Sequence, residues 1–217
     1  MARFLVVVFL PLLALSSVLR AQTTYHLHAE ASSTPGLLQL KKTGPDQATV
    51  ALQSANLQGA ATGIYLIKEF DTQAGDPAVT GAILSGTQIT FTTWMRKTAS
   101  LGSVYPAVDL HRNSLTDQPI CSTQALAFPL TTTVTQYTFS CTTSADVNLA
   151  PSDRIYLAMK VDLLGGSSSA PFAGELDIEG TVGGATDSQF TIPAFNTTSK
   201  ISVLSPTSGS SGSSVFV

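Results

Sequence analysis

Through most of the chain, apolar and polar residues alternate one by one. Over residues 131–143, Tyr137, Phe139 and Cys141 fall on one side with Thr133 and Thr135, and Gln136, Thr138 and Ser140 on the other. A period of two in a β-branched and aromatic stretch predicts a strand with one face in a core and one towards water. The same alternation runs through residues 23–31, where Tyr25, Leu27 and Ala29 oppose His26, His28 and Glu30. It recurs in 87–97, 104–112 and 154–163, and shorter strands are predicted at 37–42 and 49–52. Residues 63–70 are nearly continuous in apolar side chains, the mark of a central strand. Pro35-Gly36, Gly44-Pro45-Asp46 and Ser85-Gly86 punctuate these strands as turns. No segment holds a sustained helical period. The predicted fold is all-β, an antiparallel two-sheet sandwich over residues 22–193.

Alternation also sorts surface from core. Ile89, Phe91 and Met95 are predicted inside, with Trp94 and Arg96 outside. Val104, Pro106, Val108 and Leu110 point in, against Tyr105, Asp109 and His111. Ile155, Leu157, Met159, Val161 and Leu163 point in, against Tyr156, Lys160 and Asp162. On this reading Trp94, Tyr105, Asp109, His111, Tyr156, Lys160 and Asp162 form one surface. Aromatic rings stack on the C–H face of a sugar while short polar groups meet its hydroxyls, so the surface suits a polysaccharide or glycan. The alternative buries Trp94 beneath a loop and leaves the charges to keep a sheet face soluble. His26 and His28, two apart on one face, could ligate a metal or line the wet side of an edge strand.

The charged fraction of 12% is about half that of an ordinary soluble domain. A net charge of −3 leaves no basic footprint, which argues against nucleic acid as a partner. Residues 1–21 read as a secretory signal, with Arg3, an apolar run over 4–15 and Leu19-Arg20-Ala21 as the cleavage site. The alternative is an uncleaved anchor, although the run falls short of the ~20 residues a bilayer needs. No other stretch is long enough, so no transmembrane span is expected after cleavage. Export makes a disulfide between Cys121 and Cys141 the expectation, with two buried free thiols as the alternative. A hairpin turning near residues 130–132 would set the two cysteines opposite each other.

Four segments fall in a recognisable order: ITFTTWMRK at 89–97, LTTTVTQYTFS at 130–140, RIYL at 154–157 and GELDI at 174–178. Together they resemble the galactose-binding-like jelly roll of extracellular carbohydrate-binding modules, over about half of the domain. Val134 stands where that family commonly carries tryptophan. The resemblance implies a jelly-roll sandwich that binds sugar on a sheet face. It further implies a structural calcium, for which Glu30 and Asp177 match in place; no other cofactor is expected. Past a linker at 194–199, residues 200–217 (KISVLSPTSGSSGSSVFV) resemble the opening of an IPT/TIG immunoglobulin-like module. That likeness implies a fragment of a longer surface protein with Ig-like neighbours.

Glu175, Asp177 and Glu179 also resemble the E-x-D-x-E catalytic strand of laminarinase-type retaining glycosidases. Retention needs two carboxylates roughly 5–5.5 Å apart. Residues four apart on a flat strand are ~13 Å apart at Cα, and the motif sits on what reads as the last, edge strand. The expectation is a secreted or cell-surface, non-catalytic module that binds carbohydrate. A purely structural or adhesive module is the alternative, and a glycosidase the less favoured one.

Overall fold

A computed structural model describes residues 22–45, 47, 49–77, 81–166, 169–180, 187–193 and 195. The signal-like and IPT/TIG-like segments lie outside them. Among these residues there are thirteen strands: β1 Thr23–Ala31, β2 Leu38–Lys41, β3 Ala51–Asn56, β4 Gly63–Asp71, β5 Gly81–Ile83, β6 Gln88–Lys97, β7 Ser103–Arg112, β8 Cys121–Gln124, β9 Thr135–Thr142, β10 Val147–Leu149, β11 Ile155–Gly165, β12 Ala173–Ile178 and β13 Gln189–Ile192. Among the described residues there is no helix, and the all-β sandwich expected from the alternation is what forms.

Two layers enclose the core. One runs β4-β11-β7-β8; the other runs β3-β12-β6-β9, with β13 end to end with β12 along one side of β6. The ladder β13-β1-β2 carries hydrogen bonding from β6 round to β4, so the sheet is continuous and folds over on itself. Every pairing is antiparallel except β2 with β4. Across the core the layers touch closely: a Cβ added at Gly174 of β12 would lie 2.9 Å from Val161 Cγ1 of β11. A side chain there has no room, which is why glycine occupies an inward position.

Inward residues of the alternating strands supply the core. Tyr25, Phe190, Phe91 and Phe139 stand opposite one another across β1, β13, β6 and β9. Their ring centroids are 5.3, 5.6 and 5.6 Å apart, a stacked row spanning four strands. Such cross-strand aromatic pairs add stability beyond the area they bury.

Three sequence expectations are corrected. Cys121 and Cys141 are bonded, with Cα atoms 5.7 Å apart, but not within a hairpin. β8 pairs with β7 and β9 pairs with β6, so the bridge joins the end strands of the two layers. The strand expected to carry the three acids is not an edge, since β12, which holds Glu175 and Asp177, lies between β3 and β6. Nor is the first strand an edge, since β1 lies between β13 and β2 and His28 is fully buried. No helix among the described residues is long and apolar enough to cross a membrane.

Candidate functional site

Register fixes which side chains share the outer face of the β4-β11-β7-β8 layer, because directly opposed residues project to the same side. One row reads Asp71, Tyr156, His111. The next reads Glu69, Ala158, Asp109, Ser122, then Leu66, Lys160, Ala107, Gln124, then Ile64, Asp162, Tyr105. A bulge between Met159 and Lys160 takes up the extra residue in β4 and keeps Leu66 and Ile64 facing out.

Six of the seven predicted surface residues therefore meet: Tyr105, Asp109, His111, Tyr156, Lys160 and Asp162. Trp94 does not join them. It lies on β6 in the other layer, on the outward side, opposite Asp177 of β12 and Gln136 of β9. Alternation assigned its side correctly, but β6 and β11 belong to different layers, so their outer faces look in opposite directions.

A trough of about 410 Å³ opens on this face, lined by Ile64, Ala107, Asp109, Ser122, Thr123, Gln124 and Lys160. Its β4 wall is Ile64, about half exposed, and Leu66, equally exposed, lies beside it on the same face, opposite Lys160. Its β8 wall carries hydroxyl and amide groups. An ion pair between Lys160 and Asp109 crosses the floor. Burial opposes ionisation of Asp109, yet hydrogen bonds from Lys160 and Ser122 and the charges of Lys160 and His111 hold its carboxyl below the ordinary range. Half-buried Tyr105 and Tyr156 share this face one row beyond the Lys160–Asp109 floor in either direction, outside the trough's own lining. His111 and Asp162 are buried beneath the surface. His111 donates through Nδ1 to the Asp117 carbonyl at 2.9 Å, and burial pushes the Asp162 carboxyl up. A wider opening of about 550 Å³ lies between the loop at 117–120 and the turn at 144–148, with no aromatic ring in its walls.

The predicted metal pair separates. Asp177 faces out beside Trp94, and burial, reinforced by Glu175 and opposed by Arg96, raises its pKa. Glu30 converges instead with His28 and Glu179. The E-x-D-x-E acids part in the same way. Glu175 pairs with Arg96 Nε at 2.5 Å. Glu179 lies past the end of β12, with φ of 60°, and meets His28 Nδ1 at 3.0 Å. The three acids are thus not presented together on one strand face, as a glycosidase of that type requires.

No family model matches the chain, and no curated protein matches it. Among solved structures it is similar to an α-amino acid ester hydrolase, with a TM-score of 0.51, 11% identity, and coverage of 80% of this chain and 36% of that one. What the two share is the fold. An aminopeptidase from a Thaumarchaeota archaeon follows with a TM-score of 0.48 and 12% identity, covering 80% of this chain and 37% of that one. The N-terminal cellulose-binding domain of Cellulomonas fimi β-1,4-glucanase C gives a TM-score of 0.29 and 19% identity, covering 64% and 87%. The chain spans little more than a third of the length of the ester hydrolase and of the aminopeptidase.

The sequence did not single out Ile64, Ser122 or Gln124. They enter the trough through the pairing of β4 and β8 with their neighbours, and pairing is not written in a single strand's pattern. Glu179 stands out in the sequence as an acid, but nothing in the pattern links it to His28.

Proposed function

We propose that this chain is a carbohydrate-binding module that seats a polysaccharide chain on the outer face of β4-β11-β7-β8. The carrying observation is the mixed lining of the trough. Ile64 offers an aliphatic wall for sugar C–H groups, and exposed Leu66 extends that apolar surface beside the trough. Ser122 and Gln124 offer donors and acceptors, and the Lys160–Asp109 pair offers charge-assisted bonds to hydroxyls. Tyr105 and Tyr156 serve as stacking rings one row beyond the floor in either direction. His111 and Asp162 hold the surface from below. The signal-like segment, the sparse charge and the disulfide support secretion or display at a cell surface, and the IPT/TIG-like residues 200–217 support Ig-like neighbours. No catalytic step is proposed.

Pull-down on insoluble polysaccharides tests the reading. Retention on at least one glucan, mannan, xylan or chitin is expected, with loss of most of it in Tyr105→Ala and Gln124→Ala. Trp94→Ala, altered on the opposite layer, is expected to bind as the parent does. Absence of retention on every polymer, or loss in Trp94→Ala alone, contradicts the assignment.

A further inference from the structure

Where β1 leaves its ladder with β2, three donors from two distant segments meet. The register shifts between Leu27 and Ala31, so residues 28–30 of β1 face only Gln39 of β2. Bulges of this kind re-aim side chains. Here the result is a fully buried His28. Its Nε2 donates to the Thr43 carbonyl at 3.0 Å, which turns Nδ1 towards two carboxylates. Nδ1 lies 3.0 Å from Glu179 Oε1 and 3.5 Å from Glu30 Oε2, and the three ligand atoms lie within 4.8 Å of one another. Glu30 Oε2 is itself buried and has no hydrogen-bond partner, while its Oε1 reaches Lys41 Nζ at 3.3 Å. Glu179 is almost completely buried.

This set does not fit the calcium that the jelly-roll resemblance implies. Calcium takes 6–8 oxygen ligands. The described residues bring together two carboxylates and a buried imidazole nitrogen, with Asp177 on another face. We propose that His28, Glu30 and Glu179 form a binding site for a borderline transition-metal dication of the zinc class. Imidazole with carboxylate is a donor set such ions take, and a second-sphere carbonyl on the far ring nitrogen is their usual orienting partner. One dication offsets both converging carboxylates. Three protein donors leave a tetrahedral position for water or a further oxygen. The site ties β1 to the residue that follows β12, so occupancy is expected to stiffen the junction between the two layers.

The test uses the full chain, stripped with EDTA and dialysed. Zinc chloride is expected to raise the melting temperature and to saturate at one equivalent, while millimolar calcium chloride leaves it unchanged. Cobalt(II) is expected to give visible d–d absorption that zinc displaces. Glu30→Gln, at a partly exposed position where folding is retained, is expected to weaken zinc at least tenfold. His26→Ala, beside the separate His26–Asp187 pair, is expected to leave zinc binding intact. Zinc binding lost in His26→Ala but kept in Glu30→Gln overturns the proposal. So does stabilisation by calcium in place of zinc, or no response to either ion; the last result assigns the cluster to a His28–Glu179 ion pair.

Discussion

At the scale of single residues, the fold depends on small groups in places where ladders break. Ser188 is fully buried in the gap between β12 and β13. Its Oγ accepts from the Trp94 amide at 3.0 Å and donates to the Asp177 carbonyl at 2.7 Å, joining the last β6–β12 pair at the point where that ladder ends and the one with β13 has yet to begin. Ser188→Ala strands both groups and is predicted to cost about 1–3 kcal/mol in urea unfolding; a cost near zero contradicts that role. Asp162 gives a pH signature. Burial raises its carboxyl, so the folded state keeps a proton that the unfolded chain loses from about pH 4 upward, and stability falls as pH rises through the raised value. Asp109, held low by Lys160, acts in the opposite sense and loses its contribution as pH falls. Asp162→Asn is therefore predicted to raise stability at neutral pH and to leave acidic stability unchanged. Parallel stability curves for the two proteins would contradict this. Asp162 also shows how far the sequence could be read. Its outward side followed from alternation, but its burial follows from neighbours on β4 and β7 that alternation cannot supply.

At the scale of elements, the strands were legible wherever the alternation was long. β1, β6, β7 and β11 stand within two residues of their expected ends. β5, β10 and β13 are only three or four residues long and carry too few alternations to register. Pairing partners were the harder inference: the cysteine spacing suited a hairpin, yet the disulfide spans two layers. Contact between elements has its own test. Gly174 of β12 sits against Val161 of β11, and Gly174→Ala is predicted to cost about 1–3 kcal/mol by overpacking. Val161→Ala in the same chain is predicted to relieve part of that cost, giving a coupling of at least about 0.5 kcal/mol in a double-mutant cycle. Strict additivity would mean that the two strands do not press on each other.

At the scale of the whole molecule, the sandwich places the two outer surfaces back to back, and that decides which predicted residues act together. Tyr105, Asp109, Tyr156 and Lys160 share one face; Trp94 and Asp177 share the other. The Cys121–Cys141 bond clamps the ends of the two layers across a separation of 20 residues. Replacing both cysteines by serine is predicted to lower stability by about 3 kcal/mol, measured by denaturant unfolding. The central claim is that sugar lies in the trough of the β4-β11-β7-β8 face. Amide chemical-shift mapping with a soluble oligosaccharide of the retained polymer tests it most directly. The account predicts that the shifts cluster at Ile64, Ala107, Ser122 and Gln124. Shifts centred on Trp94 and Gln136, or on the 117–120 loop, would contradict it.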